Sequence, residues 1–464
     1  GHMTDIGGPV PAGYNPNATE IYAEGLRIPP VKVWDRGKPR QDVINLLLTN
    51  MRARRDQEGD FRALTGACQV GERNLIALLD KYGARQVEAC IDELLAMADQ
   101  HMRSLIRTVP DGTYVGKAIL EDAGHGLGDF EITATVTIEK DTCQIAVTSP
   151  PQVPYFINSY EGNSHSGVYL GVMMFAQLPP PYNEGLYRCI SVDMGPKGTL
   201  CNAKEPAPHV NSTTTPMESL ADAVRLAFEE AAPNKVVASW GHSNGCNIAG
   251  WDTRHDEEYV TMVLASIISG AGATPDQDGW HACGPQCCFG ALTSGDIELL
   301  EYSYPILIHR YSLMTDSGGA GRYRGGSGTC WEVEPLDKPM TFVTFGEGRR
   351  IPAVGAAGAH SNMVEPKVGR IEFRRGGDVE VVKKNVIVTV EPGERAANMN
   401  PGGGGYGNPC DRPVEMVAWD VKNGLVSVDG ARIDYGVVFK DVATFEVDAA
   451  ETARLRGALA MAAE

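Results

Sequence analysis

The chain has 464 residues, of which 43% are hydrophobic and 22% charged, a composition typical of a folded globular protein with several cores. Its formal net charge of -18 disfavours nucleic-acid and anionic-membrane partners, and no apolar run is long enough to span a bilayer. We therefore expect a cytoplasmic protein without a membrane or nucleic-acid partner. The eleven cysteines are too sparse for a disulfide scaffold and are predicted to be reduced thiols.

The first 38 residues are rich in proline and glycine and predict a strand-and-loop segment. They open with GHMTDIGG, in which Gly1–Met3 reads either as a cloning remnant or as part of one continuous motif. Residues 39–109 then change to apolar residues spaced three and four apart, and Gly83 stands where a C-cap glycine would end a helix. This second segment predicts a helical hairpin or three-helix unit.

Residues 110–300 predict a mixed α/β domain. The stretches GTYVGKAIL, DFEITATVTIEK and TCQIAVTSPPQV alternate as antiparallel strands do, and helices are expected over 160–177 and 216–232. VVASWGHSNGCNIAGWD and EEYVTMVLASIISGAG are interpreted as strands joined by glycine turns. The fold class expected from these elements is α+β.

The C-terminal third is predicted to be rich in β-strands. Residues 301–410 contain strand-like runs separated by many glycines, which favours a β-sandwich or barrel-like domain. Residues 411–464 are predicted to form a strand pair with an Asp-Gly turn, followed by a short terminal helix. The glycine-rich loops at 316–326 and 401–407 lack the strand and helix that flank a phosphate-binding loop, so neither predicts an ATPase.

The segment GHSNGCN at 241–247 carries the candidate catalytic residues His242, Ser243 and Asn244. Polar side chains on a loop after a strand are typical of substrate-binding positions. A buried turn held together by asparagine side chains explains the same letters equally well. The segment is not a G-x-S-x-G nucleophile elbow, because its second glycine follows directly on Asn244.

Asn158, Asn163 and His165 are candidate substrate-binding residues at the start of the helix expected over 160–177. A helix N-terminus rich in such side chains can bind an anion, although capping alone accounts for half of them. The Cys283–Cys288 cluster contains a C-x3-C pair without the second ligand pair of a structural zinc site. Buried free thiols are the expectation there.

Several long stretches, taken together, resemble the hydantoinase B family, which includes the B subunits of N-methylhydantoinases, 5-oxoprolinase halves, caprolactamase and related subunits of acetone and acetophenone carboxylases. The resemblance spans nearly the whole chain in order. Its motifs are GHMTDIGG, ATEIYAEGLRIPPVK, GDFRALTGACQVGERNLIALLDKYG, SPPQVPYFIN, EYSYPILIHRYSLMTDSGGAGRYRGG and NPGGGGYG.

The resemblance implies a cofactor and a partner. The partner would be an ATP-binding hydantoinase A-type subunit that carries ATP and Mg and phosphorylates the substrate. This chain would supply a divalent metal (Zn, Mn or Fe) and the chamber in which the activated intermediate reacts. His2 matches a family metal ligand and Asp5 is a further ligand or its neighbour. The other ligands would lie upstream of residue 1. We therefore expect that the chain is truncated, processed, encoded as a split subunit or only partly represented, unless a companion polypeptide supplies these ligands.

Three functions remain open on the sequence. The first expectation is a subunit of an ATP-dependent ketone carboxylase of the acetone or acetophenone carboxylase type, because NSYEGNSHSGVYLG and WGHSNGCNIAGWD resemble that side of the family. The alternative is a subunit of an ATP-dependent cyclic amide hydrolase. A non-catalytic scaffold subunit is the third possibility, prompted by the metal ligands that this sequence does not contain.

Overall fold

The structure is a computed structural model that describes residues 3–122, 126–176, 178–359, 367–382 and 385–463. Its mixture of helices and mostly antiparallel sheets confirms the expected α+β class. The helices are α1 Gln41–Thr49, α2 Arg54–Tyr82, α3 Ala84–Ile106, α4 Glu161–Phe175, α5 Pro216–Ala231, α6 Ile297–Ser303, α7 Val414–Lys422, α8 Val428–Tyr435 and α9 Ala449–Ala463. Each of these described helices is too short or too polar to traverse a lipid bilayer.

The strands form five sheets among the described residues. They are β1 Trp34–Asp35, β2 Lys38–Pro39, β3 Gly112–Leu120, β4 Phe130–Glu139, β5 Thr142–Thr148, β6 Ile190–Asp193, β7 Asn244–Asp252, β8 Glu257–Met262, β9 Ile306–Leu313, β10 Thr329–Pro335, β11 Met340–Gly346, β12 Arg370–Arg375, β13 Asp378–Val382, β14 Ile387–Val390, β15 Arg395–Met399, β16 Phe439–Asp441 and β17 Glu446–Val447.

The predicted helical unit is confirmed as α1, α2 and α3. The helix expected to begin in QDVINLLL stops at Thr49, and Ala53 adopts a left-handed conformation (φ 47°) before α2 starts. Gly83 ends α2 with a φ of 81°, which a glycine adopts without the steric cost of a Cβ.

The first large layer is the sheet β3-β4-β5-β6, whose strands β3 and β4 pack against α5, and α4 packs against α5 in turn. Alternate residues of β4, such as Ile132 and Val136, point into its core, as the alternating pattern predicts. Gly116 of β3 lets α5 approach closely, because a Cβ there would lie 1.9 Å from the carbonyl oxygen of Ala223. This contact fixes the position of α5, which carries much of the candidate site.

The second large unit is a β-sandwich, which was one of the two architectures expected for the C-terminal third, the other being a barrel-like domain. Its sheets are β13-β12-β15-β10-β9 and β14-β11-β7-β8, and no barrel closes among the described strands. Trp331 from one sheet and Phe342 from the other pack in the shared core. Strand β7 lies between β11 and β8 and pairs antiparallel with both.

Glycine-rich loops meet between these two units with backbone packed against backbone. A Cβ on Gly270 would lie 2.0 Å from the carbonyl oxygen of Gly326, and one on Gly403 would lie 2.0 Å from that of Ala271. Their amides pair as well, since Gly403 donates to Gly326 and Gly326 donates to Ala271. The loops therefore serve as close-packed backbone.

Two parts of the expected secondary structure are wrong. The stretch before the strand at GCNIAGWD is irregular up to Ser243, and β7 begins only at Asn244. The expected strand pair with an Asp-Gly turn is instead helical, because the hydroxyl of Ser427 caps α8 by accepting from the amide of Gly430. A short pair, β16 and β17, follows it, and the predicted terminal helix is confirmed as α9.

Candidate functional site

A buried group of carboxylates surrounds His242, the histidine of the predicted catalytic segment. Helix α5 supplies Glu218 and Asp222, which share one face because residues four apart lie one turn from each other. Glu347 follows directly on β11. All three carboxylates are buried, and His242 has a side chain that is 12% exposed. We call these four residues the His242 cluster.

Both ring nitrogens of His242 face carboxylates. Its Nε2 lies 2.8 Å from Oδ2 of Asp222, and its Nδ1 lies 3.2 Å from Oε1 of Glu347. The hydroxyl of Ser219 also donates to Oε1 of Glu347 at 2.9 Å. An imidazole with two carboxylate partners carries a proton on each nitrogen, so His242 is held as a cation.

Burial and hydrogen bonding shift the titration of this cluster. Burial alone would lower the pKa of His242, but hydrogen bonds to Asp222 and Glu347 raise it well above its usual value. Burial raises the pKa of Glu347 to about 7 and also raises that of Glu218. Burial would raise the pKa of Asp222 too, but the hydrogen bond with His242 lowers it. The cluster can therefore hold or release a proton near neutral pH.

Ser243 and Asn244 are close to His242 in sequence but make different contacts. The amide and the hydroxyl of Ser243 both donate to Glu218, at 2.8 and 3.0 Å. The amide nitrogen of Asn244 donates to the carbonyl oxygen of Met399, and its oxygen accepts from Nε of Arg349. Both residues are fully buried. Because the two nitrogens of His242 are occupied by carboxylates, the structure does not form a Ser–His nucleophile pair.

Further polar groups hold the carboxylates in place. Oδ1 of Asp222 accepts from the hydroxyl of Ser239 at 2.6 Å and from Nε2 of Gln286 at 3.1 Å. The backbone amide of Cys287 donates to Glu218 at 2.9 Å. Each carboxylate is therefore tied to at least one other segment of the chain, which makes the cluster a junction between α5, the 239–243 segment and the loop at 286–288.

Sequence reasoning found His242 but missed its acidic partners. Glu218 and Asp222 carry a usable signal, because two acids four apart stand on one face of PMESLADAVRLAF beside apolar residues. Glu347 carries no local signal. Its proximity to His242 follows only from the pairing of β11 with β7.

Glu218, His242 and Glu347 are the described residues that could hold a metal ion. One ligand atom from each lies within 4.8 Å of the others. Atoms bound about 2.1 Å from a tetrahedral zinc would lie roughly 3.4 Å apart, so the group would have to contract. The hydrogen bonds from Ser243 and Ser219 already occupy these carboxylates. The arrangement fits a hydrogen-bonded acid–base cluster better than a metal centre.

Of the two predicted metal residues, His2 lies outside the described residues and Asp5 is fully buried. One oxygen of Asp5 accepts from the amide of Ala12 at 2.8 Å, and the other accepts from the amides of Gly7 and Arg52 at 3.1 and 2.8 Å. The guanidinium of Arg52 adds a contact at 3.4 Å. Asp5 thus ties the backbone at Gly7 and Ala12 to the chain just before α2.

The candidate substrate-binding residues lie at the start of α4. The amide of Asn158 donates to the carbonyl oxygens of Val153, Tyr155 and Pro208, while its oxygen accepts from the amide of Val153. Asn163 donates to the hydroxyl of Ser159 at 3.1 Å.

His165 packs edge-on against Tyr169, with ring centroids 6.2 Å apart. Among the described residues, no hydrogen bond or ring contact joins this group at the start of α4 to His242.

The cysteine cluster borders the same junction. Sγ of Cys287 lies 3.6 Å from the hydroxyl of Ser243 and 3.7 Å from Sγ of Cys288. Cys283, Cys287 and Cys288 are free thiols of intermediate exposure rather than buried ones.

The hydantoinase B/oxoprolinase family model matches residues 1–409. The chain belongs to this family. The match confirms the resemblance that the sequence motifs carry, and it places the His242 cluster, the start of α4 and the glycine-rich loops within a hydantoinase B/oxoprolinase chain.

Individual members of the hydantoinase B/oxoprolinase family differ widely in similarity to this chain. It is 70% identical over 440 residues to caprolactamase subunit beta of Pseudomonas jessenii, which covers 94% of this chain and 76% of the relative. It is 25% identical over 505 residues to the acetophenone carboxylase delta subunit of Aromatoleum aromaticum, covering 98% and 72%. The crystal structure of the ATP-dependent caprolactamase from Pseudomonas jessenii superposes with a TM-score of 0.92 at 65% identity, covering 98% of this chain and 79% of that one.

Proposed function

We propose that this chain is the B-type subunit of an ATP-dependent cyclic amide hydrolase. The observation that carries the proposal is the 70% identity with caprolactamase subunit beta over 94% of the chain. The carboxylase relative is only 25% identical to this chain over the aligned residues. The comparisons therefore favour the hydrolase alternative over the ketone carboxylase that the sequence first suggested.

The proposed reaction opens a lactam at the expense of ATP. The partner subunit transfers the terminal phosphoryl group of ATP to the amide oxygen, which leaves ADP and makes the carbonyl carbon electrophilic. Water adds to that carbon, the C–N bond breaks, and the ring nitrogen takes up a proton to leave as an amine. The resulting acyl phosphate is hydrolysed by a second water to a carboxylate and inorganic phosphate.

The His242 cluster has a positioning role in this proposal. Its histidine and three carboxylates join α5 to the segment before β7, and Glu347 has a pKa of about 7. Because the three carboxylates are buried and both nitrogens of His242 face them, we assign the cluster to holding the chamber wall in shape and not to attack on the substrate.

A divalent metal is also part of the proposal, with His2 as its ligand from this chain. Asp5 already uses both carboxylate oxygens to accept backbone amides, so we assign it to positioning the His2 segment. The metal would supply Lewis acidity at the carbonyl or phosphoryl oxygen. Metal analysis of the purified complex, wild type against His2→Ala, tests this assignment. Unchanged metal content and activity in His2→Ala would favour the scaffold alternative.

The decisive experiment is a substrate panel on the complex of this chain with its ATP-binding partner. ADP release is measured with ε-caprolactam, hydantoin, 5-oxoproline, and acetone or acetophenone with bicarbonate. We expect substrate-dependent ADP release with a cyclic amide, together with formation of the ring-opened amino acid. ADP release with a ketone and bicarbonate alone would overturn the proposal in favour of the carboxylase.

A further inference from the structure

Two adjacent cysteines lie at the edge of the His242 cluster with their sulfur atoms close together. Cys287 and Cys288 belong to the short 3-10 helical turn Gln286–Cys288, and both side chains are partly exposed. Their Sγ atoms are 3.7 Å apart. A disulfide bond holds its sulfur atoms about 2.05 Å apart, so the two thiols need to approach by roughly 1.7 Å. We call these two residues the thiol pair.

The thiol pair is in contact with several segments of the chain. Sγ of Cys287 lies 3.6 Å from the hydroxyl of Ser243, in the segment before β7. The backbone amide of Cys287 donates to Oε1 of Glu218 on α5 at 2.9 Å. Burial raises the pKa of Tyr14, and charge on Cys287 or Cys288 raises it further, which places this residue of the N-terminal segment near both thiols. A change at the thiol pair therefore acts on segments that hold the His242 cluster.

The two thiols differ in how readily they lose a proton. The hydrogen bond from Cys287 lowers the pKa of Cys288. The same hydrogen bond, burial and the charge of Glu218 raise the pKa of Cys287. Because the thiolate is the nucleophile in thiol chemistry, Cys288 is the thiol that attacks first and Cys287 is the one that follows.

From the short distance between the two sulfur atoms, their partial exposure and the contacts of Cys287 with Ser243 and Glu218, we propose that the thiol pair is a site of reversible oxidation by a peroxide. The product is a disulfide bond between Cys287 and Cys288. This oxidation loosens the His242 cluster, and reduction by a thiol restores it.

The oxidation takes two steps. In the first, the thiolate of Cys288 attacks one oxygen of the peroxide, so an S–O bond forms, the O–O bond breaks, and the departing oxygen takes up a proton. In the second, the sulfur of Cys287 attacks Sγ of the resulting sulfenic acid. The S–S bond forms, and the hydroxyl leaves with the thiol proton of Cys287 as water. Two electrons pass from the thiol pair to the peroxide.

The backbone of the turn has to change for this bond to close. With about three residues per turn, adjacent side chains of a 3-10 helix point about 120° apart, whereas a disulfide needs Cβ atoms about 3.8 Å apart. Closure therefore alters the backbone angles at Cys287, whose amide holds Glu218, next to Gln286, whose side chain donates to Asp222 at 3.1 Å. The strained bond is easily reduced, and while it exists both α5 carboxylates lose support from this loop.

The test uses the complex of this chain with its ATP-binding partner, treated with hydrogen peroxide and then with dithiothreitol. Mass spectrometry of unreduced peptides locates the linkage, and ADP release with a cyclic amide and the urea midpoint are measured on the same samples. We expect a Cys287–Cys288 bond, a lower urea midpoint and a fall in ADP release of about tenfold or more. Dithiothreitol should reverse all three.

Cys288→Ser removes the attacking thiol, and Cys283→Ser is the matched control. Cys283 is a third partly exposed thiol of the same loop, and it packs against Trp240. We expect Cys288→Ser to retain the activity of the untreated wild type and to keep it in peroxide. Cys283→Ser should form the bond and lose activity as the wild type does.

The oxidation is independent of the proposed function, but the expected loss of turnover rests on it. If the complex hydrolyses no cyclic amide, the proposed function fails, while the peptide masses and the urea midpoint still decide the inference. A wild type that keeps both thiols in peroxide, a bond to Cys283, or a loss that dithiothreitol does not reverse would overturn it. So would equal inactivation of Cys288→Ser, or a Cys287–Cys288 bond that leaves ADP release and the urea midpoint unchanged.

Discussion

Oδ2 of Asp222 lies 2.8 Å from Nε2 of His242, which stands twenty residues further along the chain. The contact joins helix α5, which packs on the first sheet, to the segment that leads into the β-sandwich. His242 reaches the sandwich a second time through Glu347 at the end of β11. This one imidazole, which is largely shielded from solvent, therefore links the two large units of the fold.

Removal of His242 is expected to destabilise the protein strongly. His242→Ala would leave Asp222 and Glu347 buried without their cation, and we expect a loss of about 3–5 kcal/mol in the free energy of unfolding. His309→Ala is the matched control, because His309 pairs with Glu334 at 2.7 Å where both side chains are about one-fifth exposed. We expect less than about 1 kcal/mol there. Urea denaturation measures both, and similar losses would contradict the role of the cluster.

The raised pKa of Glu347 should be visible in the pH dependence of the free energy of unfolding. Its pKa is about 7 in the folded protein and 4.5 in the unfolded chain, so the folded state binds more protons between these values. Stability therefore falls as pH rises through this range, by about 3 kcal/mol for a shift of this size. The raised pKa of His242 acts in the same direction, since its stabilisation is lost as pH rises through its folded value.

Glu347→Gln should flatten this slope between about pH 5 and pH 8, because the amide does not titrate and His242 loses one of its anionic partners. Glu205→Gln is the control, since Glu205 is exposed beside Arg27. The measurement is the urea midpoint of each protein across this pH range. A Glu347→Gln slope equal to that of the wild type would refute the assignment.

The elements with a clear period were predictable, and the contacts between them were not. Alternation identified β3 and β4, and spacing of three and four identified α2, α3 and α5. The Asp-Gly pair at 429–430 wrongly predicted a turn between two strands. The side chain of Ser427, two residues before the pair, caps a helix that includes both residues. In the site, His242 was recognisable from the polar residues around it in the sequence. The position of Glu347 beside His242 was not predictable, because it depends on the long-range pairing of β11 with β7.

Asn158 allows the substrate-binding prediction to be separated from a structural role. Its Nδ2 donates to three carbonyl oxygens, so Asn158→Asp would turn a carboxylate oxygen towards three acceptors. We expect a loss of about 1–3 kcal/mol or more in the free energy of unfolding. Asn163→Asp is the control, because its side chain is only half-buried and donates to a single hydroxyl. A raised KM for the cyclic amide of the proposed reaction, with unchanged stability in Asn158→Asp, would instead support substrate binding.

The close-packed glycine loops leave no room for a side chain at Gly403, and the last prediction tests this. Gly403→Ala would place a Cβ 2.0 Å from a backbone oxygen of Ala271, and neither of the paired loops can move without breaking its hydrogen bonds. We expect a loss of about 3 kcal/mol or more, seen as a lower urea midpoint or loss of soluble protein. Gly66→Ala is the control in α2, where a Cβ meets no atom within 4 Å. This substitution should raise the free energy of unfolding by about 0.5–1 kcal/mol, because alanine loses less conformational freedom in a helix than glycine. If both alanines were tolerated equally, backbone packing would not be what fixes these glycines.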